Sequence, residues 1–227
     1  MLKKIAIGIA VVLLLGGIGV MVGDRNDSRS AKPRQAAPAE GVNTPDADGK
    51  TPLQQAILAG EHSKFLALLR DGADPNAIGW HGNAAMHLAA AHDESFYLEK
   101  LMAHGGDPNV AARRLKRSPI FLALDSRRPK NRDLLIAHGA NIEYADSSGK
   151  RPLKHAADIN DAESVLYLLE QGADPAATDD LGSTFQSSFF RGNPELLNWE
   201  TRRRYRKVIA ILESKGVPLD PRAERFR

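Results

Sequence analysis

The sequence contains no cysteine. That absence excludes disulfide staples, thiolate zinc sites, a cysteine nucleophile and an N-terminal lipidated cysteine, and it leaves the redox compartment open. A large charge of either sign is also missing, because 31 basic side chains against 28 acidic ones leave +3 over 227 residues. The small sum conceals an arrangement. Residues 1–50 carry 7 basic and 5 acidic groups, residues 51–183 carry 14 and 18, and residues 184–227 carry 10 and 5, so an acidic body lies between two basic ends. With 42% apolar and 26% charged residues, the composition is that of a globular chain of one or two domains, and wholesale disorder is excluded. Two common hydrolase signatures are absent as well: there is no H-E-x-x-H helix and no G-x-S-x-G elbow.

One long apolar run is present. Ile5 to Gly23 is uncharged and, as a helix, spans about 28 Å, close to a bilayer's hydrocarbon thickness. Lys3 and Lys4 precede it, and the mixed Asp24-Arg25-Asn26-Asp27 follows. By the positive-inside rule this predicts a cytoplasmic N-terminus, with the rest of the chain in the periplasm of a bacterial-type cell as a single-pass inner-membrane protein. The same residues also fit a cleaved secretory signal with Gly17 and Gly19 at the cleavage site, which predicts a free periplasmic protein. Residues 24–48, containing Pro33, Pro38 and Pro45 without apolar periodicity, read as a flexible linker.

From Thr51 the chain repeats itself. Pro52, Ala85, Pro119, Pro152 and Phe185 mark equivalent positions at spacings of 33, 34, 33 and 33. Each unit closes on a glycine, at Gly72, Gly105, Gly139, Gly172 and Gly216, usually followed by an Ala-Asp-Pro or Gly-Asp-Pro turn. Thr or Ser before Pro predicts a capped first helix, and apolar residues such as Phe65, Leu66, Leu68 and Leu69 at helical spacing predict a second. The closing glycine is expected in the left-handed region. These features predict an all-α solenoid of about five helix-turn-helix units over 49–220, divided near 49–81, 82–115, 116–148, 149–181 and 182–220, with a basic tail at 221–227.

The motifs Thr51-Pro-Leu-Gln-Gln-Ala56, Ala84-Ala-Met-His87-Leu-Ala89 and Gly172-Ala-Asp-Pro175 resemble the ankyrin repeat. That family's fold implies short finger turns between units, and its usual work implies protein binding and no enzymatic activity. The third unit departs from the pattern by one extra residue before Ser118, and the last carries some eleven extra residues around Asn193 to Arg206. The wording of Gly82 to Ala89 with Tyr97 to Leu101, and of Gly172 to Ala176 with Gly182 to Phe185, is similar to ankyrin proteins found beside type VI secretion lipase effectors. This resemblance implies an immunity protein that neutralises a toxic lipase. It is also similar to periplasmic ankyrin proteins linked to peroxide resistance, and an enzyme whose site is spread across the repeats is the remaining alternative.

No reaction centre, cofactor site or metal site is read from the sequence. Asp48-Gly49-Lys50-Thr51 mimics the end of a phosphate loop, but Thr44 occupies the leading glycine position and Pro52 follows. Asp179-Asp180 lacks calcium-loop spacing. Recognition is therefore expected on the fingers and first helices, where the stack leaves side chains free. The candidate contacts are Ile78, Trp80 and His81 in one finger, Arg113, Arg114, Lys116 and Arg117 in the next, and His92, Arg127 and Arg128 on first helices. The run Arg202-Arg203-Arg204-Tyr205-Arg206-Lys207 suggests phosphate, yet the acidic body and the predicted periplasmic address argue against nucleic acid as a partner.

Overall fold

The computed structural model describes residues 41–227, so the expectations for the membrane segment 5–23 and for the linker up to residue 40 lie outside the described residues. Among the described residues no helix is long and apolar enough to cross a membrane. Within the described residues, ten α-helices alternate between an inner and an outer row. The inner row is α1 (Pro52–Leu58), α3 (Ala85–Ala91), α5 (Pro119–Asp125), α7 (Pro152–Asp158) and α9 (Gln186–Phe189). Behind it stand α2 (His62–Arg70), α4 (Ser95–Ala103), α6 (Pro129–Ala137), α8 (Ala162–Glu170) and α10 (Trp199–Ser214).

Inner helices approach closely because they are built on alanine at the contact. Ala56, Ala89, Ala90, Ala123 and Ala156 are fully buried, and small side chains at a crossing allow short interaxial distances. The larger groups, Phe65, Tyr97, Leu98, Leu101, Leu135, Val165 and Leu168, fill the space between the rows. One continuous core thereby runs from Val42 to Phe226.

The five closing glycines all adopt left-handed φ, from 64 to 93°, as the spacing predicted. Their turns are stapled across units by side chains. Asn76 accepts from the Asp107 amide (2.8 Å) and donates to the Gly105 carbonyl (3.0 Å), and Asn109 repeats this with Asn141 and Gly139 (2.7 and 3.0 Å).

Several sequence expectations need correction. The array begins before residue 49: Val42 is buried, Asn43 accepts from the Asp74 amide, and Asp46 organises a complete finger. Hydroxyl capping ahead of proline holds only for Thr51, which forms a reciprocal pair with Gln54. Ser118 makes no cap bond, and its buried hydroxyl has no partner in the structure. Within the basic tail 221–227, Pro221–Phe226 forms a 3₁₀ turn packed on the array. Its Phe226 stacks on Tyr205 with ring centroids 4.6 Å apart. The extra residues of the last unit form a short 3₁₀ turn, Pro194–Leu196, and lengthen α10 to 16 residues against 9 in each of the other outer helices.

Candidate protein-binding surface

The fingers are tight turns whose first amide bonds the last carbonyl. These pairs are Asp46 with Lys50, Gly79 with Asn83, Ala112 with Arg117, Asp146 with Lys150, and Asp179 with Ser183. In three of them the leading aspartate accepts two amides from its own turn: Asp46 from Asp48 and Lys50, Asp146 from Ser148 and Lys150, and Asp179 from Leu181 and Ser183. The two fingers singled out from the sequence lack that device. At Gly79 the Gln54 carboxamide oxygen substitutes for the aspartate, accepting the Trp80 amide at 2.9 Å while its nitrogen donates to the Asn83 carbonyl at 2.8 Å. A Cβ at Gly79 would lie 2.4 Å from that oxygen, so the position requires glycine. His87 performs a similar task for the next finger, accepting from the Ala84 amide and reaching the Arg117 carbonyl, each at 3.0 Å. Burial pushes its imidazole pKa down, against those two bonds. The extra residue leaves Lys116 in left-handed backbone at φ 55°, as His81 is at φ 53°.

Neighbouring fingers are joined through their backbones. Arg113 donates to the Gly82 carbonyl (2.8 Å), Ser147 to Leu115 (2.9 Å) and Asp180 to Ser148 (3.2 Å). The tips therefore form one ridge. Along it stand Leu115, 50% exposed, and Leu181, 87% exposed. Neither was singled out from the sequence, although Leu181 breaks an otherwise polar turn and was detectable there. Arg113, Arg114 and Lys116 are exposed on the same ridge and form no ion pair among the described residues.

The remaining candidates divide. Ile78 is half-buried against the core and bridges Ala84. Trp80 is half-buried too, its ring 4.3 Å from that of exposed His81, with the Lys50 ammonium 5.6 Å from its centre. Arg117 is not a free cation: it lies over Phe121 and is paired with Asp125 (3.4 Å) and Asp146 (3.2 Å). His92, Arg127 and Arg128 occupy the inner-to-outer turns, at the end of the inner helices away from the fingers. His92 packs edge-on against Tyr97, Arg127 donates to the Ile159 carbonyl, and Arg128 pairs with Asp93 and donates to the Ala91 carbonyl. The structure does not bring these three together with the finger residues.

Beside the ridge, the inner helices carry charge that is compensated internally. Asp158 receives Lys150, Lys154 and Ser188. Burial alone would raise its carboxyl pKa, yet these hydrogen bonds outweigh that and hold it at about 2. His155 meets Asp125 at 2.6 Å. These groups are occupied with one another, and among the described residues no group of three or more histidines and carboxylates is placed to hold a metal ion.

Comparison with known proteins agrees with this architecture. The family described as "Ankyrin repeats (3 copies)" matches residues 86–179, and "Ankyrin repeat" matches residues 48–80, together more than half of the chain. Protein PhlB of Serratia liquefaciens is 39% identical over 110 residues, 48% of each chain. The mouse B-cell lymphoma 3 protein homolog is 31% identical over 139 residues, 60% of this chain and 31% of that one. The chicken nuclear factor NF-kappa-B p105 subunit is 27% identical over 181 residues, 78% of this chain and 17% of that one. The chain thus spans less than half the length of these relatives, and what is similar is the array. With period, closing turns, stacked helix rows and family match in agreement, the chain belongs to the ankyrin-repeat family.

Proposed function

We propose that the array is a non-enzymatic module whose finger ridge binds a protein partner in the periplasm, where residues 5–23 anchor it to the inner membrane or direct its export. In its sharpest form the partner is a secreted lipase effector that the array neutralises. The observation that carries the binding reading is the ridge itself. Backbone hydrogen bonds between fingers hold exposed Leu115 and Leu181, and Arg113, Arg114 and Lys116, which form no ion pair among the described residues, in fixed order. Exposed apolar side chains bordered by cations suit a partner with an apolar patch rimmed by acidic residues. A preformed ridge also loses little entropy on binding.

The test is capture of a lipase encoded beside this chain, followed by L115D/L181D and R113E/R114E variants. Both pairs lie in exposed turns and should leave the helical spectrum unchanged. Binding is expected to weaken at least tenfold in each, and inhibition of the lipase to fall with it. Undiminished capture by both variants would remove the ridge from the interface. Substrate hydrolysis by the purified array alone would overturn the non-enzymatic reading. For the address, a reporter active only outside the cytoplasm should work when fused after Arg227, and a stable but inactive fusion would refute it.

A further inference from the structure

The C-terminal end of the array presents a surface unlike the ridge. Helix α10 buries Tyr205, Val208, Ile209 and Leu212 against the preceding unit. At 100° per residue, Trp199, Arg202, Arg203 and Arg206 fall within about 100° of one another on a different face, about a third of a turn from that stripe. Trp199 is 73% exposed, and Leu196, in the 3₁₀ turn that leads into α10, is 83% exposed. Two guanidinium groups are fixed in place. Arg202 donates to the Leu197 and Glu195 carbonyls (3.0 and 2.9 Å), and Arg225 donates to the Phe190 and Gly192 carbonyls (3.3 Å each). Both border a shallow depression that Arg191 also lines. Arg191, Arg203 and Arg206 are exposed and form no ion pair among the described residues. Of the nearby acids, Glu200 is occupied by Arg204 at 2.7 Å, and Glu195 is the one carboxylate lining the depression.

We infer that this end face is a docking surface for an anionic phospholipid membrane. A tryptophan and a leucine projecting beside five arginines match the layered chemistry of a bilayer interface. The leucine enters the acyl boundary, the indole sits at headgroup depth with its N–H toward water, and the guanidinium forks bind lipid phosphates. What separates this face from the finger ridge is the 73% exposed indole of Trp199 beside five guanidinium groups: an amphipathic ring at the boundary between an apolar tip and phosphate-binding forks is the arrangement of a membrane-interface anchor. Duplex nucleic acid would leave Leu196 unaccounted for. Located on the last unit, the face does not overlap the finger ridge, so membrane docking and protein binding can occur together.

The test uses residues 41–227, which carry the continuous core from Val42 to Phe226, so that the apolar segment 5–23 cannot itself insert. In a Trp80→Phe background, Trp199 is the sole tryptophan. Titration with vesicles of phosphatidylglycerol and phosphatidylethanolamine at low salt should shift its emission to shorter wavelength, and the protein should float with the vesicles. Neutral phosphatidylcholine vesicles should show neither effect. R191E/R203E/R206E removes cations that make no structural bond and should weaken binding about 100-fold. Flotation of the L196A/W199A protein should fall about tenfold. The proposal is overturned if the protein ignores anionic vesicles, if it binds neutral ones equally well, or if the arginine variant still floats unchanged. Binding to a DNA duplex or an acidic protein without any vesicle binding would assign the face to that partner class instead. None of these outcomes bears on capture by the finger ridge.

Discussion

Phe226→Ala should undo the end of the array, although it changes the penultimate residue of the chain. The ring is 4% exposed, stacks on Tyr205 at an interplanar angle of 12°, and lies 5.6 Å from the Phe190 ring. Burying an aromatic side chain removes about 150–250 Å² from water, which at about 25 cal/mol per Å² corresponds to roughly 4–6 kcal/mol. Near a terminus the neighbours can relax into the vacated space, which lowers the expected cost to about 3 kcal/mol. The ion pairs of Arg227 with Glu213 and Glu224 are exposed and will not hold the segment once the ring is gone. Truncation after Asp220 should therefore cost a similar amount. Urea unfolding at 25 °C can be followed at both ends, because Trp80 stands in an early finger and Trp199 in the last unit. In single-tryptophan backgrounds, 3 kcal/mol should lower the midpoint by about 1–1.5 M, given slopes of about 2–3 kcal/mol/M. Because repeats communicate through nearest neighbours, the Trp199 transition should move at least as far as the Trp80 transition. A loss below about 1 kcal/mol at both probes would refute the claim that the last seven residues complete the core.

Thr51→Ala removes a hydroxyl that accepts from the Gln54 amide and should cost about 1 kcal/mol, whereas Ser118→Ala removes a buried hydroxyl with no partner and should be neutral within about 0.5 kcal/mol; equal losses in urea titration would contradict the assigned caps. The buried Tyr97 hydroxyl also has no partner in the structure, so Tyr97→Phe should raise stability by about 0.5–1 kcal/mol, and a loss of that size would point to a bonded hydroxyl. The depressed His87 pKa makes folding sensitive to acid: above about pH 6.5 the imidazole is neutral in both states, and below it the unfolded chain takes up the proton first. Stability should then fall by up to about 1.4 kcal/mol per pH unit until the folded imidazole also protonates. His87→Gln should be less stable at neutral pH yet flatter between pH 6.5 and 5, and parallel profiles would show that His87 is not the titrating group.

The repeating landmarks were legible because they are local. A glycine is needed wherever a helix must end in left-handed backbone, and 33 residues is the length of chain that makes two short helices and returns to the next finger, so spacing alone located the units. The long insertion in the last unit was visible for the same reason. Which candidate side chains are free was not legible, because that depends on partners on other elements, 8 and 29 residues away in the case of Arg117. Arg113, Arg114 and Arg117 look alike in sequence, yet Arg117 is held by Asp125 and Asp146 on other elements while the first two remain exposed. The basic tail looked polar at four of its seven positions, and only the open Tyr205 ring decided that Phe226 would fold inward. The sequence by itself determined the period, the all-helical class and the atypical end unit, since each follows from backbone geometry within a few residues. Tertiary structure alone decided which charges are neutralised, which fingers join into a ridge, and where Leu115 and Trp199 remain exposed, because those outcomes depend on what the neighbouring elements supply.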